Sequence, residues 1–256
     1  MIVFASDLDN TLIFSYKKRQ QCQNPTICVE TKEGKELSFM TKKAYDKLQA
    51  VASSLIFVPI TTRSVEQYQR ITFFEKKYPQ YALTTNGGIL LYENQIEKNW
   101  LFETKQMIES SEKELEKAKE ILKKDMAICF EIRKVDDIFI YTKSMEPEKT
   151  AKILSQQLDL EKVFVDTNGE KIYVFPKILS KGLAIKRLKN FLQCDTIFSA
   201  GDSGFDISML EEADISYWSG KEKVMMKKGI CHVYQQNVTN FAEYILTEIE
   251  KQVSKI

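Results

Sequence analysis

Three short apolar segments that end at polar residues constrain the fold of this chain more than any other feature. They are residues 2–6, 55–60 and 196–200. Apolar runs of this length predict strands of a parallel sheet, because such strands are buried on both faces. Helical patterns lie between them, at residues 42–52 and 181–191. Strands that alternate with helices predict an α/β fold with a parallel sheet.

Two β-hairpins are predicted beside these strands. In the first, residues 26–30 and 36–39 flank Gly34, which suits a tight turn. This hairpin is part of a segment that follows the first strand and lacks the pattern of a long helix, so we expect it to form an enlarged flap. In the second, residues 89–92 and 96–101 flank a polar turn.

The character of the chain changes at about residue 102, where a region rich in lysine and glutamate begins. Its patterns predict two helices and four strands in the order αββαββ. The helices are expected at residues 103–124 and 147–158, and the strands at 127–133, 137–142, 163–166 and 171–175. We therefore predict an inserted α+β domain at residues 102–177, within an α/β domain formed by residues 1–101 and 178–256.

Composition and charge exclude several classes of protein. Hydrophobic residues make up 43% of the 256 residues, charged residues make up 29%, and the formal net charge is +1. This balance is typical of a globular protein and offers no basic excess for nucleic acid or an anionic membrane. No segment approaches the ~20 apolar residues of a membrane span, and no cationic leader precedes the first strand. With five scattered cysteines and no Cys-x-x-Cys pair, we expect free thiols in a reducing cytoplasm.

Two carboxylates, Asp7 and Asp9, follow the first predicted strand directly. At the tip of a buried strand, such a pair offers ligands for a hard metal ion, and a nucleophile beside an acid or base. The same residues, followed by Asn10 and Thr11, also suit a solvated turn. The pair alone therefore leaves both interpretations open.

Further polar residues lie at the ends of the other predicted strands, where open parallel sheets bind their ligands. Thr61 suits either a phosphoryl oxygen or the cap of the next helix. Lys181 begins a helix, where a positive charge opposes the helix dipole. It therefore either serves a function at a site or is simply exposed to solvent. Asp202 and Asp206 form a second carboxylate pair, which suits either a hard cation or the start of a helix.

The order of these motifs resembles that of the haloacid dehalogenase superfamily: Asp-x-Asp-Asn-Thr at residues 7–11, then Thr61, Lys181, and Gly-Asp-x-x-x-Asp at residues 201–206. Residues 85–88, Thr-Asn-Gly-Gly, look like the Asn-Gly turn of its Cof-type and sucrose-phosphatase-like branches. The αββαββ block is similar to the type-two cap of those branches. The resemblance implies a Rossmann-like core with a cap domain that helps to choose the substrate.

The resemblance also implies roles for individual residues. Asp7 would attack phosphorus and form an aspartyl-phosphate, while Asp9 would protonate the leaving alcohol and then activate water. Thr61 and Lys181 would hold and neutralise the phosphoryl oxygens. The implied Mg²⁺ site consists of Asp7, Asp9 through its backbone carbonyl, Asp202, and Asp206, which orients Lys181 or a metal-bound water. The implied substrate contacts are Thr62, Arg63, Asn86 and Gly87.

Two positions depart from the pattern of these branches. Phe205 stands where many relatives carry asparagine, and Thr62 stands where a glycine usually separates the threonine from the arginine. Neither departure changes the carboxylates or the lysine, so the sequence predicts a Mg²⁺-dependent phosphatase of a small phosphorylated metabolite such as a sugar phosphate. A phosphomutase and a weakly active regulatory protein that binds a phosphorylated metabolite remain alternatives. The sequence does not indicate the oligomeric state.

Overall fold

The structure is a computed structural model that describes residues 1–74, 78–220, 229–235 and 238–254. Contacts within the chain define two compact units. The core unit is Met1–Glu97 with Ser180–Ile256, and the insert unit is Lys98–Leu179. Both units combine helices with strands, which confirms the predicted α/β class. Among the described residues, no helix has the length and apolar character needed to cross a membrane.

Strands and helices follow one another along the chain in three groups. The core unit before the insert contains β1 (Ile2–Ser6), β2 (Phe14–Ser15), α1 (Tyr16–Arg19), β3 (Thr26–Lys32), β4 (Lys35–Thr41), α2 (Lys42–Ser54), β5 (Ile56–Pro59), α3 (Val65–Tyr68), β6 (Tyr81–Thr84), β7 (Ile89–Tyr92) and β8 (Gln95–Ile96). The insert unit contains α4 (Lys98–Ile108), α5 (Glu112–Lys123), β9 (Arg133–Val135), β10 (Phe139–Lys143), α6 (Pro147–Gln157), β11 (Val163–Asn168) and β12 (Lys171–Pro176). The core unit after the insert contains α7 (Lys181–Leu192), β13 (Thr196–Gly201), α8 (Gly204–Glu212), β14 (Ile215–Trp218), β15 (Ile230–Val233) and α9 (Phe241–Val253).

A five-stranded parallel sheet forms the centre of the core unit, in the order β15-β14-β13-β1-β5. Within it, Ser6 of β1 pairs with Ala200 of β13 on one side and with Pro59 of β5 on the other. The residues that follow these three positions therefore lie together at the carboxyl edge of the sheet, where α/β folds bind ligands. The predicted parallel sheet is confirmed.

A second sheet of the core unit, β2-β4-β3, follows the first strand; we call residues 14–41 the flap. Its strands β3 and β4 form the predicted hairpin, and Glu33 and Gly34 at the tip have φ angles of 51° and 75°. Two left-handed residues in succession are typical of a two-residue hairpin turn. The pairing of β3 with β4 also shifts register on both sides of Glu30, an irregularity that the sequence pattern does not show.

The second predicted hairpin is present, but its second strand is much shorter than predicted. β7 pairs with β6, and Glu93 and Asn94 form a turn into β8, which ends at Ile96. The strand predicted at residues 96–101 is wrong, because the chain enters α4 at Lys98. The buried residues of α4 are Trp100, Thr104 and Ile108. Their spacing of four residues is that of one helix face, and this periodicity decides the local structure.

The single helix predicted at residues 103–124 is also wrong, because a 3-10 turn at Glu109–Ser111 separates α4 from α5. Ser111 is buried in this turn, and its hydroxyl donates a hydrogen bond to the carbonyl of Lys162 at 2.8 Å. The break therefore coincides with a tertiary contact that no local pattern shows.

The strand predicted at residues 127–133 is wrong over most of its length, since β9 begins only at Arg133. β9 and β10 are joined by a turn in which Asp136 and Asp137 have positive φ angles of 47° and 58°. This turn sets the pairing of Arg133 with Tyr141 and leaves the preceding residues outside the ladder, apart from an isolated bridge at Ile128.

The remaining predicted elements of the insert unit are present, and its antiparallel sheet has the order β11-β12-β10-β9. One face of this sheet packs against α5 and α6 through a cluster of buried aliphatic side chains. The cluster comprises Leu115, Ala118, Leu122, Ile140, Leu154, Leu158, Val163, Ile172 and Val174. Side chains alternate along strands, so the other face carries Tyr141, Tyr173 and Phe175, whose neighbouring rings lie 5.4–5.5 Å apart.

Candidate active site

Asp7 lies directly after β1 at the carboxyl edge of the parallel sheet and is 6% exposed. Its amide donates to the carbonyl of Ala200 at 2.9 Å, so the strand pairing continues through this residue. The chain then turns sharply, because the carbonyl of Leu8 accepts hydrogen bonds from the amides of three residues that follow it. Asn10 adopts a φ angle of 67° in this turn, a conformation that asparagine tolerates better than most residues. Strand and turn together hold the Asp7 carboxylate at the edge of the sheet.

Lys181 reaches Asp7 from the first turn of α7. The hydroxyl of Ser180 caps this helix by accepting from the amide of Leu183 at 3.1 Å. The Lys181 Nζ donates to Asp7 Oδ1 at 2.5 Å and to Asp206 Oδ1 at 2.6 Å, and the side chain is buried. Burial alone would lower the pKa of Lys181, but the charges of Asp206 and Asp7 outweigh burial and raise it. Lys181 is therefore a fixed cation between two carboxylates.

Asp206 is fully buried and its second oxygen is also occupied. Asp206 Oδ2 accepts from the amides of Asp202 and Ser203 and from the Ser203 hydroxyl, each at 3.0 Å. Gly201 permits this arrangement, because a Cβ at that position would lie 2.3 Å from the Cβ of Asp206. Asp206 thus orients Lys181 and holds the loop that carries Asp202.

Three carboxylates converge at this point, since oxygen atoms of Asp7, Asp202 and Asp206 lie within 4.8 Å of one another. The Thr11 hydroxyl lies between two of them, 3.2 Å from Asp7 Oδ2 and 3.5 Å from Asp202 Oδ1. Burial, together with neighbouring carboxylates, raises the pKa of Asp7 well above its ordinary range and that of Asp202 to about 7. One lysine does not neutralise this group, and its oxygen ligands suit a hard divalent cation.

Asp9 lies outside the acidic group and faces an arginine. Its side chain is 51% exposed, and both of its oxygens accept from Arg63: Nε to Oδ2 and Nη2 to Oδ1, each at 2.8 Å. Arg63 also donates from Nη1 to Glu30 Oε2 at 2.8 Å. Burial lowers the pKa of Arg63, but the hydrogen bonds and charges of Asp9 and Glu30 outweigh it and raise the pKa. The structure thus places Arg63 between two carboxylates of the core unit.

Thr61 is buried close after β5, and its hydroxyl accepts from the amide of Arg63 at 3.1 Å. The alternative in which Thr61 caps the next helix does not hold, because Ser64 caps α3 and forms a capping box with Gln67. Thr62 is partly exposed beside it. The two threonines therefore lie at the same sheet edge as Asp7.

Asn86 and Gly87 form a 3-10 turn after β6, with φ angles of 58° and 86°. The amide of Asn86 donates to the carbonyl of Thr61 at 2.9 Å, which ties this turn to the strand end. A Cβ on Gly87 would lie 2.3 Å from the Cβ of Ala184 in α7. The glycine therefore lets the turn approach the helix that carries Lys181.

Sequence reasoning missed a set of residues that the flap contributes near Asp9. Glu30 is buried and accepts from Arg63, Arg70 and Ser38. One signal was available, because an acid at the end of the apolar run 27–29 is unusual unless it is paired. Lys18, also in the flap, donates to the side chain of Asn10 at 2.6 Å.

Comparison with known proteins is consistent with this geometry. The haloacid dehalogenase-like hydrolase family matches residues 59–245, which include Thr61, Lys181, Asp202 and Asp206 and begin after the 7–11 motif. No curated protein sequence matches the chain.

Three solved structures illustrate the likeness of the fold. A Synechocystis sucrose-phosphatase, in complex with sucrose and phosphate, has a TM-score of 0.63 and 13% identity over 97% of this chain and 98% of that chain. A haloalkanoate-superfamily phosphatase from Bacteroides thetaiotaomicron has a TM-score of 0.57 and 15% identity over 100% and 96%. A trehalose-6-phosphate phosphatase from Aspergillus fumigatus has a TM-score of 0.52 and 12% identity over 96% and 92%.

At such low identities these structures are evidence for the fold alone. The family match extends over most of the chain and is the stronger evidence. It confirms the predicted family: this chain belongs to the haloacid dehalogenase-like hydrolases.

Proposed function

We propose that this protein is a Mg²⁺-dependent phosphatase that hydrolyses phosphomonoesters of small metabolites through an aspartyl-phosphate. The observation that carries the proposal is the buried lysine shared by Asp7 and Asp206, with Asp202 beside them. A fixed cation among carboxylates at a strand end can accommodate an anionic phosphoryl group next to an anionic nucleophile.

In the first half-reaction, a carboxylate oxygen of Asp7 attacks phosphorus while the bond to the leaving oxygen breaks. Lys181 compensates the negative charge of the phosphoryl oxygens. Thr61 supports the same step, because its hydroxyl accepts from the amide of Arg63 and so directs its own proton elsewhere. That proton is suited to a phosphoryl oxygen.

Asp9 serves first as acid and then as base. It transfers a proton to the leaving oxygen as the alcohol departs. It then accepts a proton from the water that attacks the aspartyl-phosphate, which releases inorganic phosphate and restores Asp7. The exposure of Asp9 supports this role, since a group that exchanges protons with substrate and water has to be accessible to both.

Asp7 and Asp202 are the residues that would hold Mg²⁺, with the backbone carbonyl of Asp9. Asp206 fits a supporting position, since its oxygens already bind Lys181 and the loop amides. The raised pKa values of Asp7 and Asp202 support a cation here, because both carboxylates gain from a nearby positive charge. When bound, the metal ion offsets the repulsion between nucleophile and phosphate.

We further propose that the insert unit acts as the cap that selects the substrate, with residues 102–177 as the domain predicted from the sequence. The names of two similar structures, a sucrose-phosphatase and a trehalose-6-phosphate phosphatase, support a sugar phosphate as the substrate class. Thr62, Arg63, Asn86 and Gly87 remain the proposed contacts on the core unit.

The proposal is tested by phosphate release from a panel of sugar phosphates and an aryl phosphate. We expect turnover with Mg²⁺, none above background with chelator, and a loss of roughly 10⁴-fold or more in Asp7→Asn. Asp46→Asn, an exposed aspartate on α2, is the matched control and should behave as wild type. Equal rates for wild type and Asp7→Asn would refute the proposal.

A further inference from the structure

Glu30 is a buried carboxylate that the proposed mechanism does not use. It lies on β3 in the flap and is 3% exposed. Its Oε2 accepts from Arg63 Nη1 at 2.8 Å and from the Ser38 hydroxyl at 2.6 Å. Its Oε1 accepts from Arg70 Nε at 3.2 Å and Nη2 at 3.1 Å. Two arginines and a hydroxyl therefore compensate the burial of this charge.

The backbone of β3 is irregular where it carries Glu30. Successive side chains of a regular strand point to opposite faces, yet Val29 and Glu30 are both buried. Register shifts on either side of Glu30 mark a bulge-like irregularity, a feature that redirects side chains. The carbonyl of Val29 also accepts from the amide of Thr72 at 2.8 Å, and Glu30 forms a bridge with Ile71. The flap is thus bonded to the chain directly after Arg70.

Arg63 connects this carboxylate to the 7–11 motif. One edge of its guanidinium group bonds to Asp9 through Nε and Nη2, while Nη1 bonds to Glu30. The guanidinium is planar and rigid, so the position of Nη1 constrains the direction of the other N–H groups. The side chain of Arg63 is only 15% exposed, which limits the other conformations that it can adopt.

We propose that Glu30 is a positioning residue: by fixing Arg63, it sets the orientation of Asp9 toward the leaving group. The inference rests on the proposed function, because the orientation of Asp9 matters only if Asp9 transfers a proton. Arg63 bonds to both oxygens of Asp9, so proton transfer to the leaving group requires one of these bonds to open while the other keeps Asp9 in place. Arg70 bonds to Oε1 of Glu30, the oxygen that Arg63 does not contact, and so helps to fix the Glu30 side chain.

The test uses two substrates that differ in their need for an acid. An alkyl phosphate leaves as a strongly basic alkoxide that requires protonation, whereas 4-nitrophenyl phosphate leaves as a weakly basic anion. In Glu30→Gln we expect kcat/KM for the alkyl phosphate to fall by roughly ten- to a hundredfold, and that for the aryl phosphate much less. KM should change little. Glu36→Gln, an exposed glutamate of the same hairpin, is the control and should change neither value.

A double-mutant cycle shows whether Glu30 acts through Arg63. Once Arg63→Gln is present, Glu30→Gln should cause little further loss of alkyl phosphate turnover. If Glu30→Gln does not fold, the charge-balanced variant Glu30→Gln with Arg70→Gln should show the same selective loss.

Three results would overturn the inference: unchanged kinetics in a folded Glu30 variant, equal losses for both substrates, or additive losses in the cycle. If wild-type protein releases phosphate and any one of these results is found, the positioning role of Glu30 is refuted while the proposed function stands. Absence of turnover by wild-type protein with Mg²⁺ would remove the proposed function, and the positioning role with it.

Discussion

Asp7 and Asp9 are separated by one residue, yet they lie in opposite environments. The side chain of Asp7 is 9% exposed and shares a buried lysine with Asp206, whereas the side chain of Asp9 is 51% exposed and binds an arginine. Burial is the largest influence on Asp7 and raises its pKa. Asp9 is instead held by the guanidinium group of Arg63, which also binds the flap carboxylate Glu30.

The comparison separates two ways of holding a carboxylate of the proposed site. Hydrogen-bond partners of Asp7 come from β13, from the turn after β1 and from the start of α7, so its geometry depends on the stability of the core unit. Around Asp9, the partners come from the segment after β5 and from an antiparallel hairpin. Changes near Asp7 should therefore affect both stability and activity, whereas changes near Asp9 should affect mainly activity.

The largest effect is expected for Lys181→Met. This change leaves Asp7 and Asp206 buried without their cation, which should lower the free energy of unfolding by about 3–5 kcal/mol in chelator. Turnover should fall by roughly 10²- to 10³-fold or more, because a group that stabilises the phosphoryl oxygens is lost. Denaturant unfolding and phosphate release measure the two effects.

Lys186→Met is the matched control for this change, since Lys186 lies on the same helix but is exposed and pairs with Glu212. It should leave both measurements nearly unchanged. A Lys181→Met protein as stable as wild type would mean that Asp7 and Asp206 tolerate each other without the lysine, and the contrast with Asp9 would disappear.

The next largest effect is expected for Asp9→Asn. Turnover of an alkyl phosphate should fall by roughly 10²- to 10⁴-fold, because the acid and base are removed. The free energy of unfolding should change by less than ~1 kcal/mol, since ion pairs at exposed carboxylates contribute little. Steady-state kinetics measure the loss of turnover, and denaturant unfolding measures the change in the free energy of unfolding. A large destabilisation would show that Asp9 is a structural residue.

A third expectation concerns pH and metal. The pKa of Asp202 rises from 3.8 to about 7 in the folded, metal-free protein, so its contribution to stability is present below the lower value and is lost as pH rises through the higher one. Mg²⁺ competes with that proton, so its stabilising effect should grow with pH. We expect the difference in Tm between Mg²⁺ and chelator to be larger at about pH 8.5 than at about pH 5.5.

Asp202→Asn should remove most of this difference at both pH values, whereas Asp46→Asn should retain it. The expectation fails if the Mg²⁺-dependent shift in Tm is the same across the range. That result would indicate that the carboxylates are already ionised without a metal ion.

The smallest effect is expected for Lys18→Met. Lys18 bonds to Asn10, and its charge lowers the pKa of Asp202, though less than burial and Asp206 raise it. Its removal should strengthen Mg²⁺ binding by roughly two- to fivefold at about pH 8.5, where Asp202 is ionised, because a nearby positive charge repels the cation. Titration calorimetry measures the change, and the exposed neighbour Lys17→Met is the control. Equal affinities for the two variants would show that the flap does not influence the acidic group.

The elements predicted correctly are those whose patterns are local. The strands of the parallel sheet read as apolar runs because both faces are covered, and the 26–39 hairpin is marked by its glycine turn. The errors in the insert unit fall where hydrophobic periodicity is not informative. One helix is interrupted at a 3-10 turn where the Ser111 hydroxyl bonds to the distant carbonyl of Lys162, and a two-residue turn at Asp136 sets where the strand before it pairs. No periodicity encodes either event.

The same distinction applies to the two aspartates. The order of strands in the sequence predicts that Asp7, Thr61 and Asp202 lie at one edge of the sheet, because each follows a parallel strand. Lys181, which begins α7, is joined to them only by the family resemblance. The ion pairs of Arg63 with Asp9 and with Glu30 follow from no local pattern and are seen in the fold alone. The reason is physical: sheet geometry is implied by the order of strands, whereas an ion pair between a flap and a loop depends on side-chain directions that a strand irregularity changes.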